Sequence, residues 1–295
     1  MTVSKSYPKS VPGNAFSNVS IAGITQNTGK KPGTLRFSRT GSEAREPFIV
    51  PAEHYPNPAP KSPPTRLPPA GDLSLSLALG SELGCGSVGR VFEVNVIKSA
   101  SSPMPRGKFL PSLVVKMSRR GMSRALLYEA HVYEDLERLQ GIVIPRCFGL
   151  YVGTVTDAAN FTPWSGQAAQ SPLGDHRDTH GSPDDEVTIL ILERVGGCIT
   201  AAESRKSLHS ELYTMYKDIS SFSIYHFDIK PSHILLATPE SSIAAGHSHR
   251  WAKPYQFRII GFHNSQKTNV GRGELAEDQM RSVSAVLNEL ALAKS

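Results

Sequence analysis

The chain has 295 residues, enough for one or two domains, and a formal net charge of +6. Residues 1–70 carry nine Lys and Arg against three Asp and Glu, so this tail accounts for the whole net charge. The other 225 residues are neutral. The high isoelectric point therefore indicates a solvated basic arm, and we expect no nucleic-acid partner.

The tail is also rich in proline, with 12 of the 22 prolines of the chain. Its apolar residues are sparse and show no clear period. Such a composition cannot bury enough apolar surface to offset the entropy lost on ordering. We therefore predict that residues 1–70 form a mostly disordered, Pro-rich basic tail, which serves as a spacer or as a ligand for proline-reading modules.

The cysteine pattern and the lack of long apolar runs bear on the compartment. Cys85, Cys147 and Cys198 are isolated, so neither a zinc site nor a disulfide framework is expected. No apolar run approaches the roughly 18 residues of a membrane span, and the start has no signal-peptide pattern. We expect a cytoplasmic or nuclear protein with no membrane partner.

A glycine-rich turn follows the first strand pattern. Alternating leucines in residues 73–79 predict a strand, and the turn then carries Gly84, Gly86 and Gly89 in the spacing GxGxxG. Dinucleotide-binding folds continue into a helix here, whereas this chain continues with the alternation of a second strand. The pattern indicates a flap that can cover phosphates. A glycine-rich hairpin without a ligand is the alternative.

A lysine and a glutamate follow on successive predicted elements. Lys116 lies inside the short apolar strand 112–118, where an ammonium group needs a partner or an anion. Glu129 borders the apolar stripe of a helix predicted over residues 122–140. We predict that the two side chains pair. The alternative is that Glu129 is one more solvated acid.

The remaining elements alternate with two polar segments. Residues 154–186 read as a polar surface insertion, followed by an apolar strand that ends at Glu193. Apolar residues at helical spacing predict an amphipathic helix over 208–222. A loop over 237–255 leads to a short strand, and a last helix begins after Gly273.

The order of these motifs, with "IYHFDIKPSHILL" at residues 224–236, resembles that of eukaryotic protein kinases, especially the kinase-like proteins of fungi. The resemblance covers residues 73–292, with the two polar segments excluded. It implies an α+β, two-lobe kinase-like fold. Residues 71–192 would form an antiparallel N-terminal sheet plus one helix, and residues 193–295 a small, mainly helical C-terminal lobe.

The resemblance also implies a nucleotide site. The three glycines would cover the phosphates of ATP, and Lys116, paired with Glu129, would hold the α- and β-phosphates. Val91 would touch the adenine, Leu192 would sit at the back of the pocket, and the main-chain groups of Glu193 and Val195 would bond the adenine edge.

The same resemblance implies catalytic roles. Asp228 would orient the acceptor hydroxyl, and Lys230 would steady the transferred phosphoryl group. Lys116 counts with them as a catalytic residue through its hold on the phosphates. His226 is assigned a structural role.

Two departures fall on the metal ligands of the family. His233 stands where the family has Asn, and Gly261 stands where it has the metal-binding Asp. Mg²⁺ prefers oxygen ligands, so its presence is uncertain, and losing about 4 kcal/mol of charge stabilisation would slow transfer roughly a thousandfold. On the resemblance, Gly261→Asp would restore metal dependence. Only 34 residues follow Gly261, which implies a shortened C-terminal lobe.

The sequence therefore predicts a protein kinase-like, ATP-binding protein that has lost catalysis and acts as a switch or scaffold toward a protein partner. The first alternative is an active, unconventional phosphotransferase that recruits a metal ligand elsewhere, with small-molecule kinases as a variant. The second is a non-catalytic interaction domain with an empty cleft.

Overall fold

A computed structural model of the chain describes residues 9–25, 33–51, 70–97, 108–156, 160–164, 185–200, 206–240 and 255–292. The chain divides into two compact units. Unit 1 comprises the described residues within 1–43, 67–130 and 147–194. Unit 2 comprises those within 44–66, 131–146 and 195–295.

Unit 1 is built mainly from strands. Its strands are β1 (Lys9–Ser10), β2 (Phe16–Thr25), β3 (Gly33–Arg39), β4 (Leu73–Cys85), β5 (Gly89–Val96), β6 (Lys108–Phe109), β7 (Leu113–Ser118), β8 (Cys147–Thr154) and β9 (Glu186–Glu193). Helix α1 (Ser123–Asp135) contributes its residues up to Ala130.

Seven of these strands form a closed barrel in the order β2-β3-β8-β9-β7-β5-β4, which returns to β2. The β2–β4 pair is parallel and the other neighbours are antiparallel. Successive side chains of a strand face opposite sides, so every second residue points inward. The inward side chains, such as Phe92, Val115 and Ile191, form the apolar core of unit 1.

The predicted fold class, a two-lobe kinase-like α+β fold, is wrong. The structure has a closed mixed barrel in place of an open antiparallel N-terminal sheet, and the described residues contain three α-helices in all. The expected sheet would have left β4 and β8 as free edges. Because β2 pairs with β4 and β3 pairs with β8, neither strand remains an edge.

The interpretation of residues 1–70 as a disordered tail is also wrong for the part that forms β2 and β3. Phe16, Val19, Ile21 and Phe37 are buried in the barrel, and their apolar surface stabilises both strands. Arg39 donates to the main-chain oxygens of residues 13, 16 and 148, which ties these strands to β8. Residues 1–8, 26–32 and 52–69 lie outside the described part.

The predicted polar insertion at 154–186 contains a buried segment. Phe161 and Trp164 are buried, and their rings meet edge to face with centroids 4.8 Å apart. The Trp164 indole N–H donates to the Ser118 carbonyl at 3.0 Å. This segment therefore belongs to the core of unit 1, whereas residues 157–159 and 165–184 lie outside the described part.

Unit 2 combines two helices with two short hairpins. Its elements are α2 (Lys206–Ser220), β10 (Ile224–Tyr225), β11 (Ile234–Leu236), β12 (Phe257–Ile259), β13 (Gln266–Lys267) and α3 (Arg272–Leu292), together with residues 131–135 of α1. Strand β10 pairs with β13, and β11 pairs with β12, both antiparallel. Helices α2 and α3 pack together through apolar faces that include Leu212, Ile219, Leu275 and Val283.

No helix in the described ranges is both long and apolar enough to cross a membrane. The loop predicted at 237–255 falls mostly on residues 241–254, which lie outside the described part.

Candidate functional site

The glycine turn of unit 1 connects β4 to β5, as the sequence predicted. A Cβ atom at Gly89 would overlap the Met117 carbonyl on β7, so close strand packing requires glycine there. Among the described residues, a Cβ at Gly84 would meet no atom within 4 Å, and one at Gly86 only the Gly89 oxygen at 3.7 Å. The described part of the barrel therefore gives no steric reason for glycine at positions 84 and 86.

Arg119 holds this turn against β7. Its Nε donates to the Gly86 carbonyl at 2.8 Å, and Nη2 contacts the Cys85 sulfur at 2.8 Å. The Gly86 N–H donates to the Gly89 carbonyl at 2.9 Å, which closes the turn on itself. Sequence reasoning missed Arg119. Its only signal was its place directly after the strand that carries Lys116.

Three of the predicted nucleotide-binding side chains lie on one face of the barrel. Val91 on β5 lies opposite Lys116 on β7, and Leu192 on β9 lies opposite Val114, two residues from Lys116. Directly opposite residues of antiparallel strands share a face, so these side chains share the outer face. Gly84, on β4, lies opposite Val91 and extends the same row of residues to the glycine turn.

Lys116 and Glu129 form the predicted ion pair. Lys116 Nζ donates to Glu129 Oε2 at 2.5 Å, and the side chains are 13% and 1% exposed. A buried carboxylate is stable only when a cation or hydrogen bonds compensate it. The ammonium has three N–H donors and this contact uses one, so Lys116 retains donors for an anion.

Glu193 and Val195, predicted to bind adenine through their main chains, are separated by the division into units. Glu193 ends β9 opposite Leu113, with its side chain buried on the inner face. Val195 belongs to unit 2. The N–H of Arg194, between them, donates to the Ser112 carbonyl at 2.8 Å.

In unit 2, the loop after β10 holds Asp228 in a fixed position. Its main-chain N–H donates to His226 Nδ1 at 3.2 Å, and His226 Nε2 donates to the Ile260 carbonyl at 2.9 Å. His226 is buried and uses both ring nitrogens, which agrees with the structural role assigned to it. Lys230 Nζ donates to Asp228 Oδ2 at 2.8 Å.

The environment of Asp228 favours its ionised form. Burial raises the pKa of this carboxyl, but the hydrogen bond from Lys230 and nearby positive charges outweigh burial and hold the pKa below its usual range. Asp228 is therefore a carboxylate at neutral pH. It can accept a hydrogen bond from a hydroxyl group, although Lys230 already occupies one of its oxygens.

His233 and Gly261, the two departures from the family pattern, lie against each other. Gly261 has φ of +84°, a left-handed conformation that favours glycine. A Cβ on Gly261 would lie 2.7 Å from Cγ of His233 and closer still to two other ring atoms. The His233 imidazole therefore occupies the space that a side chain at position 261 would need.

His233 is also held from the other side. Its Nδ1 lies 2.8 Å from the Asp228 carbonyl, which can only accept, so Nδ1 carries the proton. Burial lowers the pKa of His233 to about 4, with the Asp228 carbonyl acting in the opposite direction. The imidazole is therefore neutral at pH 7.

This arrangement does not fit Mg²⁺. The ion prefers several oxygen ligands, whereas position 261 has no side chain and position 233 offers an imidazole nitrogen in place of an oxygen. Among the described residues, no group of three His, Cys, Asp or Glu side chains is placed to hold a metal ion. We therefore assign no metal ligand in unit 2.

No protein-family model matches the chain, and no curated protein sequence matches it. The protein-kinase resemblance stays a prediction from the sequence motifs, and so do the roles that it assigns.

Proposed function

We propose that unit 1 binds the phosphate groups of a nucleotide, with ATP as the expected ligand, on its outer face. One observation carries this proposal. Lys116 is paired with the buried carboxylate of Glu129 and lies in the same cross-strand row as Gly84 of the glycine turn. The described residues give no steric reason for glycine at positions 84 and 86, which suits a turn that lets phosphate oxygens approach main-chain N–H groups. Val91 and Leu192 supply apolar surface for a base.

We further propose that binding is independent of Mg²⁺ and that the protein acts as a switch or scaffold toward a protein partner, without turnover. The mutual packing of His233 and Gly261 supports this part, because it removes both expected ligand positions at once.

Thermal unfolding of the full chain with ATP, in the presence and absence of Mg²⁺, tests the proposal. ATP at about 100 times its dissociation constant adds roughly 2.7 kcal/mol of stability, a rise in Tm of about 2–4 °C. We expect this rise without Mg²⁺, and no further rise when Mg²⁺ is added.

Two variants locate the site. Gly84→Ala should leave the Tm without ATP unchanged and reduce the rise with ATP, since a methyl group there touches only the ligand. Lys116→Met should abolish the rise, measured against its own ATP-free Tm, whereas Lys217→Met at an exposed position of α2 should not. An unchanged rise in both Gly84→Ala and Lys116→Met would exclude this site. No rise in the wild type would favour the non-catalytic interaction domain.

Active phosphotransfer is the second candidate, because Asp228 and Lys230 keep the ionised pair that such a reaction uses. Here the γ-phosphoryl group of ATP would pass to an acceptor hydroxyl, with release of ADP. Labelled ATP incubated with the chain, with and without Mg²⁺, gives the test. Transfer that is lost in Asp228→Asn would establish this candidate, and equal background in both proteins would reject it.

A further inference from the structure

A short segment of the N-terminal region lies along β13 of unit 2. The Phe48 N–H donates to the Lys267 carbonyl at 2.7 Å, and Phe48 bridges to Thr268 in parallel orientation. The segment thus adds to the hairpin of β10 and β13 as an extra strand would.

Two residues further on, the amide of Asn269 holds the main chain of Val50. Oδ1 of Asn269 accepts from the Val50 N–H at 2.8 Å, and Nδ2 donates to the Val50 carbonyl at 2.8 Å. Both bonds go to the backbone of one residue. These two hydrogen bonds therefore recognise an extended main chain, whatever side chain the residue at that position carries.

An aromatic pair supplies the selective contact. Tyr225 and Phe227 pack with ring centroids 4.1 Å apart, and Phe48 meets Phe227 edge to face at 5.4 Å. Such ring contacts are worth more than their buried area alone. Phe48 and Phe227 both remain 43% exposed, so the segment is held by a shallow contact. Phe227 precedes Asp228, so the occupant packs on the loop that carries the carboxylate.

We propose that Tyr225, Phe227 and Lys267–Asn269 form a binding site for an extended peptide of a partner protein. The peptide carries an aromatic residue. Two positions later, the main-chain N–H and carbonyl of the peptide form hydrogen bonds with the side chain of Asn269. Residues 48–50 occupy this site in cis and compete with the partner. This inference is independent of nucleotide binding by unit 1.

Competition from the same chain determines the design of the test. A tethered occupant acts at an effective concentration on the order of 1 mM, so a free peptide at micromolar concentration does not displace it. Removing the Phe48 ring from the chain should release the site. Ile49, which is 62% exposed, provides a matched control on the same segment.

The probe is a fluorescent peptide of residues 44–51, titrated into the full-length chain and followed by anisotropy. We expect Phe48→Ala to bind it at least about tenfold more tightly than wild type, and Ile49→Ala to behave as wild type. Adding Asn269→Asp to Phe48→Ala should remove the gain, because the donor to the peptide carbonyl is lost. A probe with Ala in place of its own Phe should not bind.

Equal binding by Phe48→Ala and wild type would overturn the proposal, as would equal binding of the two probes. The comparison of the two probes on Phe48→Ala decides the matter even where Asn269→Asp lowers the Tm.

Discussion

The glycine turn of unit 1 and the Asp228 loop of unit 2 use their special residues in opposite ways. In unit 1, an added Cβ would meet none of the described residues at Gly84 and only the Gly89 oxygen at Gly86, and Lys116 keeps donors beyond its bond to Glu129. In unit 2, Gly261 and His233 fill each other's space, and His233 is also bonded to the Asp228 carbonyl.

The comparison separates glycines that packing of the fold requires from glycines for which the described residues give no steric reason. Gly84 belongs to the second kind, because its added Cβ would meet no described residue within 4 Å. A glycine at positive φ against a buried ring belongs to the first kind. His233 and Gly261 thus form one packing unit.

The largest expected effect comes from breaking the pair in unit 1. Glu129→Ala leaves the ammonium of Lys116 buried without its carboxylate, which should lower the free energy of unfolding by about 3–5 kcal/mol. Denaturant unfolding monitored by circular dichroism measures this loss. The double variant Lys116→Met/Glu129→Leu should recover most of it. A double variant as unstable as the single one would show that the pair has another role.

Filling the space at Gly261 should cost about 3 kcal/mol. Gly261→Ala adds both left-handed backbone strain and overlap with His233. Gly273→Ala, in α3 where the added Cβ would meet no described residue within 4 Å, should instead be neutral or slightly stabilising. Equal thermal stability of the two variants would contradict the packing described.

The same packing changes the expectation for a restored metal ligand. Gly261→Asp alone should destabilise the chain without creating metal dependence. Only Gly261→Asp combined with His233→Asn should bind Mg²⁺ measurably by calorimetry.

Acid should weaken unit 2 through His233. Its pKa of about 4 in the folded chain lies below the ordinary value near 6.5, so the unfolded chain binds more protons between these values. Stability should therefore fall by roughly 2–3 kcal/mol as pH decreases from 6.5 to 4. His233→Asn should flatten this dependence, while His209→Asn, at an exposed position, should not. An unchanged slope in His233→Asn would assign the acid sensitivity to other groups.

The smallest expected effect distinguishes two glycines of the same turn, Gly84 and Gly89. Gly89→Ala should cost about 2 kcal/mol, because its methyl group overlaps the Met117 carbonyl. Gly84→Ala should stay within about 0.5 kcal/mol of wild type. A reversed order in thermal unfolding would refute the distinction between a fold glycine and a ligand glycine.

Local patterns predicted the parts of the fold that are encoded locally. The hairpin around the glycine turn, the strand carrying Lys116, the helix carrying Glu129 and the final helix are confirmed. Each depends on alternation or helical spacing within its own segment. The Lys116–Glu129 contact was also predictable, because an ammonium on an apolar strand needs a nearby acid.

What the sequence analysis missed depends on distant segments. Strand β2 has a short alternation at Val19 and Ile21, which the nearby proline cluster obscures in the composition of residues 1–70. Eight of the tail's twelve prolines lie in residues 51–69, outside both barrel strands. The fit of His233 to Gly261 joins residues 28 positions apart, and no local pattern reports it.

Barrel closure also sets an order of events during synthesis. Arg39 on β3 pairs with Tyr151 on β8, so one seam of the barrel joins strands made more than a hundred residues apart. At about 5–20 residues per second, β3 leaves the ribosome on the order of ten seconds before its partner. During that interval one edge of β3 is unpaired. Unpaired strand edges promote aggregation, and chaperones protect such intermediates. The rate at which residues 40–151 are translated therefore bears on the yield of folded protein.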